Sequence, residues 1–338
     1  KIITRTGLVN NHYLAFSGGT SQSNYRASFG FMDHNTIIKK MDYNVFVAKV
    51  DVTQKAFNDR LTGEFGVFGS SFKNHDIFDT QMLFYSAACQ NPTFPAGTDE
   101  HGNWLKNESA THVNPPGILL EEKNDSKDLN FDAHIKLSYD FNKNWRVSTF
   151  GSYLYGSTEN GQFCPTWVWA QGNVYRGEFK KEEWLGNVSL DFNKEFGIHK
   201  VSAGVSSEYR KLRKTAFWVY AKGIPTNDFH YDNLGATAAR PYGGTESTYE
   251  DQSLASVMGS ITYNLLDRYT LAVNARGDGS SMVGDNNTWG FFPSVSFTWD
   301  MKKESFLANI KPLSMLKLRT GLGQAGNLGG ISAYTTMN

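Results

Sequence analysis

Cysteine is almost missing: Cys89 and Cys164 are the whole supply in 338 residues, too few for a disulfide framework or a cysteine-built metal cluster. Net charge is missing too, since 33 basic residues balance 33 acidic ones. That removes the basic excess of a nucleic-acid binder and any polybasic attraction to a membrane surface. No apolar run reaches the roughly 18 residues of a transmembrane helix, although a β-barrel crosses a bilayer without one. No Ser, His and acid arrangement, nucleophile elbow or phosphate loop is present, so nothing supports an enzyme or calls for a cofactor. The chain opens at Lys1 without a secretory signal pattern and closes in polar sequence at Thr335 to Asn338. These ends read as those of an internal piece of a larger protein.

Aromatics, by contrast, make up 14% of the chain, and there are 32 glycines, a composition that suits sheets, turns and membrane-interface belts. The stretch from Phe131 to Tyr155 shows the repeating unit in full. Phe131, Ala133, Ile135, Leu137, Tyr139 and Phe141 alternate with Asp132, His134, Lys136, Ser138, Asp140 and Asn142. A polar turn at Lys143 and Asn144 follows, and the alternation resumes through Trp145, Val147, Thr149, Gly151, Tyr153 and Tyr155. This is an antiparallel hairpin with one dry and one wet face. Its arms exceed the about 5 to 6 residues usual in soluble sheets and match the about 9 to 11 that cross a bilayer. The dry face then meets lipid and the wet face lines an interior.

The same unit recurs along the chain. Arms are predicted at His12 to Gly18, Tyr25 to Asp33, Asp42 to Val52, Leu61 to Phe72, Glu183 to Phe192 and Val201 to Tyr209. Further arms follow at Ala255 to Leu265, Tyr269 to Ala275, Phe291 to Trp299 and Leu316 to Leu322. Short turns alternate with long loops, the latter at Lys73 to Lys127, Thr158 to Phe179, Lys211 to Glu250 and, shorter, Gly277 to Thr288. In a meander every second connection lies at the same end, so the short turns share one rim and the long loops the other, as in outer-membrane barrels. Two aromatic girdles are expected, Phe141, Trp145, Phe192, Phe196, Tyr263, Tyr269 and Trp299 beside the turns, and Tyr153, Tyr155 and Trp184 toward the loops.

At Asn274 to Trp299 the sequence reads NARGDGSSMVGDNNTWGFFPSVSFTW. This run, with AFSGGT at Ala15 to Thr20, KLRT at Lys317 to Thr320 and GQAGN at Gly323 to Asn327, resembles the SusC-like (RagA-like) TonB-dependent outer-membrane transporters. The motif residues are Arg276, Asp278, Gly279, Ser280, Ser281, Trp289, Gly290, Pro293 and Ser294. The resemblance covers most of the chain, though not its loops. It implies an all-β antiparallel transmembrane barrel of about 22 strands. Residues 1–338 supply about twelve of them, with long extracellular loops and short periplasmic turns, the plug domain and the barrel C-terminus being absent. It further implies TonB-dependent uptake of oligosaccharides or peptides with a SusD-like surface lipoprotein, in the outer membrane of a Bacteroidota-type Gram-negative bacterium. Outer-membrane lipid and, through the missing N-terminal part, the TonB complex are the remaining partners. The reading from another class is a soluble or surface-exposed β-sandwich that binds glycans.

Candidate substrate-binding residues are the loop aromatics Trp104, Trp167, Trp169, Trp218, Tyr220, Tyr231 and Tyr242, whose amphipathic rings suit sugars or peptides; such rings also brace loops. Arg276-Gly277-Asp278 spells an adhesion tripeptide but falls at a strand end. Asp278, Asp285, Asn286 and Asn287 lack calcium-loop spacing, and turn chemistry explains them better. His75, His101 and His112 share a loop with Asp76, Asp99 and Glu100 at no zinc-like spacing. Whether Cys89 and Cys164 pair stays open, because sequence does not give their separation.

Overall fold

The computed structural model describes residues 2–106, 113–169, 171–284, 288–329 and 331. His112, Asp285, Asn286, Asn287 and Thr335 to Asn338 therefore lie outside the described residues. Among the described residues, twelve strands form one antiparallel sheet in strict chain order, each pairing with its neighbours in sequence. They are β1 (Leu8–Gly19), β2 (Ser23–Asn35), β3 (Asp42–Ala56), β4 (Leu61–Asp76), β5 (Lys123–Asp140) and β6 (Trp145–Cys164), then β7 (Asn173–Phe196), β8 (His199–Lys222), β9 (Thr245–Leu265), β10 (Tyr269–Ser280), β11 (Trp289–Asp300) and β12 (Lys317–Gly323). A single sheet is no sandwich, so the two-layer reading is set aside.

Register carries the alternation from strand to strand. Ile135 faces Phe65, Val205 faces Gly259, Ile261 faces Val273, and Val273 faces Val295. Phe46, Phe65, Ile135, Val188, Val205, Ile261, Val273 and Val295 share the outward face and are 44–56% exposed. A soluble monomer seldom exposes apolar surface so continuously; here the hydrophobic surface faces lipid. Rings bound the belt on both sides. Near the turns, Trp145 packs on Phe192 at 4.7 Å and Tyr269 on Trp299 at 6.2 Å. Toward the other rim, Tyr153 lies 4.3 Å from Trp184 and 6.5 Å from Phe131.

The strands lengthen from 12 residues in β1 to 24 in β7 and β8, then shorten to 12 in β10. Because a bilayer takes up only about 9 to 11 residues, the middle strands rise well above the upper girdle. This corrects the predicted loops at Thr158 to Phe179, most of which is strand, and Lys211 to Glu250, whose two ends are strand. The rule of short turns also has an exception. Residues 20–22, 57–60, 141–144, 197–198 and 266–268 make tight turns at one rim, but residues 301–316 form a longer connection there, holding α3 (Ser305–Ala308). The long connection between β4 and β5 is structured too, with α1 (Thr80–Cys89) and α2 (Pro115–Glu121).

Candidate functional site

Above the belt, the inward faces of β7, β8 and β9 form a polar wall. Glu183 accepts from Arg210 at 2.7 Å and pairs with Lys181 at 3.2 Å, and Lys214 donates to Glu250 at 3.1 Å. Higher on the same face, Phe179 and Trp218 stack with centroids 6.2 Å apart and planes 17° from parallel. Tyr175 and Tyr220 are cross-strand partners, and the Tyr220 hydroxyl donates to the Asn173 side chain at 2.9 Å. Trp218 and Tyr220 thus stand on β8 rather than in a loop. Phe179 was missed as a candidate, because nothing in the sequence shows that its strand continues upward to bring it under Trp218.

Part of the rim carries a small cap. Ile38 from the β2–β3 connection packs with Ile77, Leu83, Ile118 and Leu119, and Trp167 and Val168 from the β6–β7 connection lean on that cluster. The side chain of Asp79 caps α1 by accepting from the Met82 amide, and that of Asn114 caps α2 by accepting from the Gly117 amide, each satisfying an otherwise orphaned helix N–H. The indole N–H groups of Trp104 and Trp167 both donate to Glu121, the latter at 2.7 Å. They sit directly against Gly117, where an added Cβ would lie 2.5 Å from the Trp167 ring. Next to this clasp Glu122 is only 3% exposed and accepts from the Asp79 amide at 3.0 Å and the Cys164 thiol at 3.5 Å. Burial pushes its carboxyl up to about 7.

The β8–β9 connection folds back over the outer wall instead of standing free. Ile224, Tyr231 and Leu234 cover Phe163, Val174 and Ala221, and Arg176 pairs with Asp232 at 3.1 Å. The Tyr231 hydroxyl donates to Asp125 at 2.6 Å, and burial, reinforced by that bond, pushes it above the ordinary tyrosine range. Of the seven aromatic candidates, then, Trp104, Trp167 and Tyr231 hold loops together, Trp218 and Tyr220 line the inner wall, and Trp169 and Tyr242 are exposed at the rim.

Of the motif residues, Arg276, Asp278, Ser280, Gly290 and Ser294 lie on the inner face of β10 and β11, whereas Gly279, Trp289 and Pro293 lie on the outer face with Val273 and Val295. Arg276 donates to Asp278 at 2.7 and 2.8 Å and to Ser256 at 3.0 Å, so the Arg-Gly-Asp tripeptide is tied into the sheet and not displayed. The Trp289 ring lies over Gly279, where a Cβ would come within 2.7 Å of it. The Ser253 amide donates to Ser281 Oγ at 2.8 Å, the Ser280 amide to the Thr288 carbonyl at 3.0 Å, and Asn274 to Ser294 at 3.3 Å. Gln324 donates its amide to the Pro293 carbonyl at 3.0 Å and starts a segment that crosses the inner face near Gly290 and Phe292. The hollow beneath it measures about 1010 Å³. Elsewhere, His75 bonds Asp125 at 3.0 Å, and His101 lies beside Glu100. Cys89 is exposed and Cys164 buried, and both are free thiols.

An antiparallel meander with an apolar outer belt, two girdles and a polar, ion-paired inner face is the wall of an outer-membrane β-barrel. Residues 90–336 match the family described as TonB dependent receptor-like, beta-barrel, and the chain belongs to it. Receptors of this family are transport proteins and not enzymes. The chain is 28% identical to TonB-dependent receptor SusC of Bacteroides thetaiotaomicron over 98% of its length, and 28% identical to TonB-dependent receptor P3 of Formosa agariphila over 99%. It spans about a third of those relatives, 35% and 34% respectively. Among solved structures, the RagAB peptide importer in its closed-closed state superposes with a TM-score of 0.77 at 15% identity, covering 98% of this chain and 38% of that one.

Proposed function

We propose that this chain is part of the barrel of a nutrient importer that takes up oligosaccharides or peptides through TonB-dependent energisation, with a SusD-like surface lipoprotein seated on the long-loop rim of a Bacteroidota-type outer membrane. The observation that carries the reading is the tall inner wall above the upper girdle, where the Phe179–Trp218 stack stands over the Glu183–Arg210 and Lys214–Glu250 pairs. Flat rings take the apolar faces of sugars or side chains, and the ion pairs below offer donors and acceptors for hydroxyls or amides. Trp169 and Tyr242, exposed at the rim, make first contact with substrate or lipoprotein. Trp104, Trp167 and Tyr231 act through the loops they brace. The likeness to SusC, and the peptide import that the RagAB structure is named for, both accord with this substrate range.

The complete receptor, purified in mild detergent, tests the reading by calorimetry against an oligosaccharide panel and a tryptic peptide pool. Binding of one class, weakened several-fold by Phe179→Ala with Trp218→Ala, is expected. Unchanged affinity in that double variant overturns the assigned wall, and binding only of a metal chelate overturns the substrate class.

A further inference from the structure

The 301–316 connection departs from the tight turns around it, and its hydrogen bonds fix where it lies. Trp299 and Tyr269 belong to the lower girdle and face outward. The Tyr269 hydroxyl donates to Glu304 at 2.5 Å, the Trp299 indole N–H donates at 3.0 Å, and Arg268 reaches the same carboxylate at 3.1 Å. Glu304 is 8% exposed. Glu304 therefore lies on the lipid side of the rim, beneath the girdle, while Lys303 reaches back to Asp300 on the inner-face side of β11 at 3.8 Å.

The connection is also tied by its own hydrogen bonds. Lys302 Nζ donates to the carbonyls of Leu307, Ala308 and Ile310 at 2.9 to 3.1 Å, and the Lys302 amide donates to the Leu316 carbonyl at 3.2 Å. Lys303 Nζ bonds the Asp267 carbonyl at 2.8 Å, which bolts the connection to the neighbouring turn. Held by these bonds, the segment leaves Phe306 64% and Met315 66% exposed, and Ile310 is exposed as well. The other turns of this rim also carry exposed apolar residues, Leu266 in the adjoining turn and Phe57, Phe141 and Ile198 further along. Lys302, Lys303, Lys311 and Lys317 outnumber the local acids Asp267, Asp300 and Glu304, with Lys303 and Lys317 paired to Asp300.

We propose that the 301–316 connection is an interfacial anchor: Phe306, Ile310 and Met315 enter the headgroup and acyl boundary of the leaflet at the turn rim, and Lys311 meets the phosphates of anionic phospholipid. Apolar side chains beside lysines, continuous with an established lipid-facing belt, have the chemistry of segments that lie in a membrane interface. The proposal rests on the barrel reading, because it needs the girdle to mark the bilayer boundary.

The test places spin labels on the complete receptor in vesicles of phosphatidylethanolamine and phosphatidylglycerol, using Phe306→Cys, Met315→Cys, Val188→Cys and Lys143→Cys in a Cys89→Ser background. Collision with oxygen relative to a water-soluble nickel chelate should be several-fold higher at 306 and 315 than at the turn position 143, and highest at the belt position 188. Adding phosphatidylglycerol should deepen 306, and Lys311→Glu should remove that response. Water-exposed labels at 306 and 315 beside a lipid-exposed label at 188 overturn the anchor and leave the barrel standing, the result expected if a periplasmic protein covers this face instead. A water-exposed label at 188 overturns both. Depth that ignores phosphatidylglycerol overturns the role of Lys311.

Discussion

Glu122 joins the chemistry of one carboxyl to the order of a whole cap. Its folded value of about 7 lies above the ordinary 4.5 because burial disfavours the charged form, with only the Asp79 amide and the Cys164 thiol to offset the loss of water. The folded cap thus holds this proton more tightly than the unfolded chain does. Its contribution to cap stability is full below about pH 4.5, falls as pH rises, and is lost above about 7, by at most on the order of 3 kcal/mol. Hydrogen exchange of the α2 amides, corrected for intrinsic rates, should show more protection at pH 5 than at pH 8. Glu122→Gln should flatten that dependence and leave the variant better protected at pH 8. Equal protection of the native protein at both pH values would show that the carboxyl finds water in solution.

Elements inherit their limits from such contacts. In α2, Gly117 lets the Trp104 and Trp167 rings close onto Glu121, and Gly117→Val has no room for its branches. Overpacking of this sort costs about 1 to 3 kcal/mol. Limited proteolysis should cut the 77–122 connection in that variant while the barrel keeps its heat-resistant migration; cleavage at the native rate would mean the rings simply step aside. Along β5 the two faces answer differently. Leu137→Arg turns a cation toward lipid at about 2 to 4 kcal/mol and should lower the folded fraction in the outer membrane. Ser138→Arg points into the lumen beside Ser148 and should be tolerated. Equal folded fractions on heat-modified gels would sink the facing. The facing was readable because period two puts every apolar residue of Phe131 to Phe141 on one side. The upper halves of β6 to β8 were not readable, because above the girdle the outer face first carries charged side chains in water and then is covered by the β8–β9 connection. There Lys180, Glu182 and Arg213 look outward while Lys181, Glu183 and Arg210 look inward, so the contrast vanishes although the pairing continues.

For the whole molecule, β1 and β12 each keep one edge without a strand partner among the described residues, and the outer belt is predominantly apolar. This chain on its own should self-associate in detergent-free buffer, since open edges and apolar surface both recruit further copies, and should disperse as sheet in micelles. Sedimentation velocity with and without detergent checks this; a stable monomer without detergent would contradict the lipid-facing belt.

By itself the sequence determined the strand order, the lipid and lumen faces, the two girdles and the family, because these depend on local alternation, on turn spacing and on a motif carried in one continuous run. Only the tertiary structure decided which aromatics face the lumen and which act as braces. Trp104, Trp167 and Glu121 come from two connections, Tyr231 and Asp125 from opposite ends of four strands, and Phe179 and Trp218 from neighbouring strands. What each ring touches is set by long-range register and loop packing, and no spacing along the chain encodes either.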